Sequence, residues 1–373
     1  MPGNARTDQE IPRTQLALDD HSILQLAVVA WRRKDTMSEL PHPMGFPKVT
    51  IAIPTLNRVG YLRLALESAL GQSYGNIEVV VSNNASTDDT ASYLASCNDP
   101  RLRVLQQTKL LPMAENWNAC VAAATGEYFL LLSDDDLLEP DAIQELVAGY
   151  AEQDGHPAPG IVYCGGRYID AVGGVTRVFR QSPPREAARD LILACFDGKR
   201  DLCFCAVLLR TADLLPGFPT TYKVACDFAV WMRAAMRRGP AVFIPKQLVR
   251  FRVHQSLSFA TWIDVWRAEY RQIHKLAIAE DKRAGGSDPV FVKHMRSSVQ
   301  RAERCLIVSR IDESLRTHKG RALLEYGRNL SAFCSPLGLL SLGKGIVKLF
   351  LNDQSRMWLR QRLRKGPASF QSE

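Results

Sequence analysis

Between Lys48 and Asp136 apolar runs of four to five residues alternate with stretches striped at helical spacing, and this alternation constrains the fold more than any other feature. Val49, Ile51 and Ile53 make a first strand, and Leu62, Ala65, Leu66, Ala69 and Leu70 stripe a helix. Ile77 to Val81, Leu102 to Leu105 and Tyr128 to Leu132 repeat the strand signal, with helical stretches at Thr90 to Cys97 and Met113 to Ala124 between them. Strands separated by helices require right-handed crossovers, so the chain is read as an α/β protein with a mainly parallel sheet flanked by helices. In such a sheet ligands bind beyond the carboxyl ends of the strands, and the residues just after each strand carry the functional reading.

After Pro140 a helix through Tyr150 leads to a strand at Ile161 to Cys164, and Asp170 to Gly174 marks a hairpin turn. A helix over about Asp227 to Arg238 stops at Gly239 and Pro240, and a strand from Gln247 to Val253 follows. Beyond Trp262 the pattern is helical, broken at Gly285 and Gly286. With 373 residues the chain exceeds one core. We divide it into an N-terminal extension (1–46), a main α/β domain (47–260) and a helical C-terminal region with a basic amphipathic tail (261–373). The extension has a polar start, an apolar patch from Ile23 to Trp31 and a linker at Pro41, His42 and Pro43.

The +8 formal charge and a pI near 9.0 suit an anionic partner. Much of the excess lies at Lys344, Lys348, Arg356, Arg360, Arg362, Arg364 and Lys365, which suits a surface-binding tail better than a basic cleft. Just before them, Leu337 to Leu351 form an apolar segment too short to span a bilayer, and Trp358 follows. Such a segment suits an anionic membrane surface, and it equally suits a helix docked on the protein's own core. The nine cysteines include no C-x-x-C pair and read as reduced thiols, with Cys203 and Cys205 on one strand face. No secretory leader is expected, so a cytoplasmic protein, peripheral on the cytoplasmic face of the membrane, is the expectation.

After the first strand stand Pro54, Thr55, Leu56, Asn57 and Arg58, which is not the G-x-G-x-x-G turn of a dinucleotide fold. After the second stand Ser82, Asn83, Asn84, Ala85, Ser86, Thr87 and Asp88, suited to bonding a base and ribose, or to a plain turn with a helix cap. After the fourth come Ser133, Asp134, Asp135 and Asp136. Three adjacent carboxylates repel one another unless solvent or a cation compensates, and Mg²⁺ or Mn²⁺ needs only one or two of them plus substrate phosphates.

Five segments in order carry a resemblance: V-T-I-A-I-P-T-L-N-R, L-E-S-A-L-G-Q-S-Y, E-V-V-V-S-N-N-A-S-T-D-D-T, N-W-N-A-C and A-T-G-E-Y-F-L-L-L-S-D-D-D-L-L-E-P-D. The span from Val49 to Asp141 resembles the family 2 glycosyltransferases, which have the Rossmann-like GT-A fold. The resemblance implies that Pro54, Thr55, Asn57 and Arg58 line a nucleotide-sugar pocket with Ser82, Asn83, Asn84 and Asn116. It places the family's Asp-x-Asp metal motif on Ser133, Asp134 and Asp135, with Ser133 in place of the first acid. Asp135 or Asp136 is then the metal ligand, and Asp134 lies nearer the ribose. Asn83 stands where many relatives carry a base-reading acid, which leaves the donor's nucleobase open.

A looser likeness continues through C-D-F-A-V-W-M-R and F-R-V-H-Q-S-L-S. It implies Asp227 as catalytic base and His254 as a further metal ligand; apart from the resemblance, Asp227 reads as a helix cap and His254 as a strand-end surface residue. The implied activity is inverting transfer of a sugar from a nucleotide-diphospho-sugar to a saccharide or lipid-linked acceptor, in cell-surface polysaccharide or glycolipid biosynthesis, with no nucleic-acid partner. The alternatives are a sugar nucleotidyltransferase, which normally has a Gly-rich phosphate loop where this chain has Thr55, Leu56 and Asn57, and a non-catalytic nucleotide-sugar-binding or scaffold protein.

Overall fold

A computed structural model describes residues 46–150, 157–253, 259–286 and 288–317. The N-terminal extension, His254 and the basic tail lie outside the described residues. Four parallel strands open the sheet: β1 (Val49–Thr55), β2 (Ile77–Asn83), β3 (Leu102–Gln106) and β4 (Tyr128–Leu131). They are joined by the helices α1 (Val59–Leu70), α2 (Thr90–Ser96) and α3 (Met113–Ala123). A short β5 (Leu137–Leu138) and α4 (Ala142–Ala148) lead to β6 (Ile161–Ile169), which pairs with β7 (Val175–Val178) around the expected turn. Then follow β8 (Arg185–Glu186), α5 (Ala188–Phe196), β9 (Val207–Arg210), α6 (Cys226–Arg238), β10 (Ala241–Arg252), α7 (Phe259–Arg283) and α8 (Pro289–Thr317).

The strand order is β3-β2-β1-β4-β9-β6-β10-β5, with β7 beside β6 and β8 beside β10. Antiparallel β9 lies between β4 and β6, and β10 runs parallel to β6. Side-chain alternation sorts each strand between two cores. Val49, Ile51 and Ile53 face the layer of α1 and α4, while Ala52, Val80, Phe129 and Leu131 face α3, α5 and α6. Covering both faces is what allows these strands to be continuously apolar.

Two readings of the sequence differ from the structure. The strand expected from Gln247 starts at Ala241, because Pro245 falls where the β6 register shifts between Ile244 and Gln247 and breaks the alternation without ending the strand. Phe204 to Ala206 form a 3₁₀ turn and the strand begins at Val207, where pairing with Tyr163 of β6 becomes available.

The C-terminal helices join the second core: Ile273 and Ala277 of α7 and Phe291, Met295 and Val299 of α8 are buried in it. Arg237 of α6 pairs bidentately with Glu280 of α7, and Arg301 of α8 with Asp197.

At the amino end of the sheet Glu78 is 8% exposed and accepts bonds from Thr50 Oγ1 at 2.5 Å, Lys48 Nζ at 3.0 Å, the Thr125 amide at 2.6 Å and Thr125 Oγ1 at 2.8 Å. Gly126 closes this corner, since a Cβ there would lie 2.5 Å from the Thr50 nitrogen. Burial raises the Glu78 carboxyl's proton affinity, but the four donors outweigh it and hold the pKa at about 2. A pKa below the ordinary 4.5 contributes stability above that value that is lost as pH falls toward about 2. Glu78→Gln should therefore cost about 2 kcal/mol at neutral pH. Urea titrations should show the gap from the parent closing as the pH approaches about 3.

Candidate active site

β1, β2 and β4 end at one edge of the sheet, with Thr55 in register with Asn83 and Ala52 with Leu131. Three loops therefore meet there, and their polar side chains are mostly bonded to one another. Asn57 has a left-handed backbone, φ 54°, and its Oδ1 accepts the Thr87 amide at 2.7 Å while its own amide donates to Ser86 Oγ at 3.0 Å. Asp88 accepts the Val59 amide through Oδ2 and the Thr90 amide through Oδ1, so one carboxylate serves the starts of α1 and α2. The cap reading of this segment thus holds for Asp88, which had no assigned role.

The residues expected around the base are buried and spend polar atoms on the scaffold. Ser82 Oγ donates to Asn116 Oδ1 at 2.7 Å and accepts from Gln107 Nε2 at 3.0 Å. Asn83 Nδ2 donates to Gln106 Oε1 at 2.8 Å, and its Oδ1 accepts the Ser86 amide at 3.1 Å. Asn84 exchanges two bonds with the Leu111 backbone. Ala85, at φ 56°, is the left-handed residue that turns this loop, a conformation that strains any residue with a Cβ. Pro54 is half-buried, whereas Leu56, Asn57 and Arg58 are exposed on the rim.

The acidic loop is almost fully enclosed. Asp134 is 4%, Asp135 8% and Asp136 0% exposed. Thr55 Oγ1 donates to Asp134 Oδ2 at 2.8 Å, and Arg58 Nη1 bridges Asp134 Oδ1 at 3.2 Å and Asp135 Oδ2 at 2.9 Å. Burial pushes the Asp134 carboxyl up to about 6, with Arg58 opposing and Asp135 adding to the rise. Burial, then the charge of Asp135, lifts Asp136 well above the carboxylate range. Asp136 Oδ1 accepts the Arg252 amide at 2.7 Å. Its carboxyl is thus turned into the protein, while Asp135 meets the exposed guanidinium of Arg58 at the rim.

Sequence reasoning passed over Arg252, although it lies within the quoted F-R-V-H segment. It is 5% exposed, donates through Nε to the Asp135 carbonyl at 2.8 Å and through Nη1 to the carbonyls of Asp170 and Ala171 at 2.9 and 3.0 Å, and lies 4.9 Å over the Tyr61 ring. One guanidinium thereby joins the acidic loop, the end of β10 and the β6–β7 turn. A signal was present: an arginine at a buried strand position needs partners.

Asp227 stands in the first turn of α6, half-buried, with Oδ1 accepting the Phe228 amide at 2.7 Å. Burial raises its carboxyl from an ordinary 3.8 to about 7, with a smaller contribution from the charge of Glu269. Burial, then Asp136, Asp201 and Asp227 among its neighbours, pushes the Cys203 thiol well up. The acidic loop and the start of α6 are thus both within electrostatic reach of one thiol.

Among the described residues no three His, Cys, Asp or Glu side chains converge as a metal-binding group. The donors at the rim are nevertheless hard carboxylate oxygens, and Asp135 already faces a cation, Arg58. This chemistry fits Mg²⁺ or Mn²⁺ completed by phosphate oxygens.

Arg252→Lys keeps the charge but cannot reproduce the fork that reaches three carbonyls. We expect a loss of about 1–3 kcal/mol in thermal unfolding and faster proteolysis at the Asp170–Gly174 turn.

Residues 50–210 match the family described as Glycosyl transferase family 2. An uncharacterized glycosyltransferase of Rickettsia typhi is 30% identical over 213 residues, 56% of this chain and 65% of that protein. Chondroitin synthase of Pasteurella multocida is 36% identical over 114 residues, 30% of this chain and 12% of that protein. Thus the chain spans less than two thirds of the length of either relative. Among solved structures, the mannosyltransferase PcManGT from Pyrobaculum calidifontis, in complex with GDP-Man and Mn²⁺, superposes with a TM-score of 0.54 at 21% identity, covering 91% of each chain. Residues 50–210, less than half of the chain, thus resemble the family 2 glycosyltransferases, and they lie on a ten-stranded sheet of the GT-A kind.

Proposed function

We propose that the chain transfers a sugar from a nucleotide-diphospho-sugar to an acceptor hydroxyl with inversion, Asp227 acting as general base. The observation that carries this is the half-buried Asp227 carboxyl, brought to about 7 at the start of a rigid helix. A base works best with a pKa near the working pH, and an ordinary surface aspartate has one far below it. Attack by the deprotonated hydroxyl on the face opposite the diphosphate inverts the anomeric carbon.

In this reading the rim residues Asn57 and Arg58 receive the donor, Asp134 holds the ribose side, and Asp135 with the donor phosphates holds Mg²⁺ or Mn²⁺. The bound ion would supply Lewis-acid neutralisation of the departing diphosphate. The Mn²⁺ and GDP-Man in the Pyrobaculum mannosyltransferase support a metal and a nucleotide-sugar donor here. The likeness to a chondroitin synthase supports a saccharide acceptor and a role in polysaccharide synthesis. No described helix is long and apolar enough to cross a membrane. We retain the division into 1–46, 47–260 and 261–373 as the working domain plan.

Calorimetry with UDP and GDP should detect binding that depends on Mg²⁺ or Mn²⁺. Asp135→Asn should weaken it by roughly tenfold or more. Undiminished metal-dependent affinity in that variant removes Asp135 from the site.

Asp227→Asn should fold and bind donor yet turn over roughly a hundredfold or more slowly, since an amide cannot take the proton. Stability provides a second check. Between the ordinary 3.8 and about 7 the folded protein keeps a proton that the unfolded chain has released, so the parent loses stability as pH rises through that window. The Asn variant lacks this loss. It should melt higher than the parent at about pH 8, with the difference vanishing near about pH 4. Parental turnover in Asp227→Asn would exclude it as the base.

A further inference from the structure

The helical region after residue 260 lies beyond the 50–210 family match and buries the carboxylates Glu269, Glu280 and Asp281, of which Glu269 reaches toward α6 through backbone amides. Glu269 of α7 is 4% exposed, so its charge must be balanced within the protein. Its partners are three consecutive backbone amides: Lys223 N–H donates to Oε1 at 2.6 Å, and Val224 and Ala225 N–H donate to Oε2 at 3.1 and 2.9 Å. Ala225 is the residue immediately before α6, and Asp227 is its second residue. The α6 cap residue has no side-chain cap of its own. Glu269 therefore acts as a cap reaching in from another helix, and it fixes the segment from which Asp227 projects.

We propose that Glu269 is a positioning residue for the base: it holds the Lys223–Ala225 segment, and so sets where the Asp227 carboxylate points and how readily it takes a proton. The proposal rests on the reading of Asp227 as base. It makes α7 part of the catalytic unit.

Physical chemistry gives this arrangement two effects. The first is geometric. A carboxylate holding three N–H groups gives charge-assisted bonds, stronger than neutral ones, and a loop held this way keeps a projecting side chain within the narrow tolerance that proton transfer requires. The second is electrostatic. Two carboxylates share one helix start, but Glu269 takes three amides of the preceding segment while Asp227 bonds the Phe228 amide. The charge of Glu269 adds to the burial that raises the proton affinity of Asp227. Among the described residues, the titratable groups within electrostatic reach of Asp227 include Glu269 and Tyr270 from α7, Cys226 beside it on α6, and Cys203 from the loop before β9. Tyr270 packs edge-on against Phe196, as does Phe228, so α7 also supplies part of the apolar wall that desolvates the base.

The test uses the full chain. Carbon-13 labelling of aspartate follows the Asp227 carboxyl by NMR, its signal identified by its loss in Asp227→Asn. Hydrogen exchange follows the amides of Lys223 to Ala225. Hydrolysis of GDP-mannose and UDP-GlcNAc with Mn²⁺ reports turnover. In Glu269→Gln, Asp227 should titrate at lower pH than in the parent. Protection at Lys223 to Ala225 should fall roughly tenfold while Ala229 to Met236 keep theirs. Hydrolysis of whichever donor the parent accepts should fall roughly tenfold, with its KM within about twofold. If Glu269→Gln does not fold, Glu269→Asp keeps the charge and shortens the reach, and it should lose the same protection and turnover. Parental titration and protection in Glu269→Gln, or parental protection and hydrolysis in Glu269→Asp, overturn the proposal. The base reading fails separately: Asp227→Asn would then hydrolyse donor at the parental rate, whatever the Glu269 variants do.

Discussion

Three successive carboxylates at the end of a buried strand must be compensated, and the surrounding structure is organised around that need. The chain compensates each differently. Arg58 bridges Asp134 and Asp135 from the rim, and Asp136 is enclosed with the Arg252 amide on one oxygen. Burial, together with the charge of Asp135, raises the proton affinity of Asp134 and Asp136. In the proposed function, a diphosphate with its metal ion would meet Asp135 and compete for Arg58.

Burial also governs Asp227, the proposed base. Asp227 lies in the first turn of α6, where the helix dipole favours a negative charge, yet burial outweighs that and brings the carboxyl to about 7. Glu269, from a helix outside the family match, takes the amides of the preceding segment. A domain of this type therefore does not end with its sheet. The helices packed against α5 and α6 complete the second core.

Much of this was legible along the chain because it is local. The alternation over residues 49 to 132 dictates strands and helices whatever the rest does, and carboxyl-edge loops follow from a parallel sheet. β1, β2 and β4 are buried on both faces, which is why their apolar runs are nearly continuous. Where tertiary pairing overrides local pattern, legibility ends. Pro245 hides the first half of β10, whose register is set by β6. Cys203 to Cys205 alternate like a strand but turn, because the ladder with β6 starts at Val207.

For the site, residue identities came from the sequence and their partners from the fold. The positions after the strands drew attention to Thr55, Asn57, Asn83, Asp134 and Asp135, and the family resemblance, not the local pattern, gave them and Asp227 their expected roles. The sequence did not reveal that Asn83 and Asn84 are occupied by the scaffold, that Asp136 faces inward while Asp135 faces Arg58, or that Arg252 bonds the acidic loop and Glu269 the residues before α6. Arg252 lies 116 residues from Asp136, and Glu269 lies 44 from Ala225. Contacts over such separations depend on how sheet and helices pack, a long-range outcome that short-range periodicity does not encode.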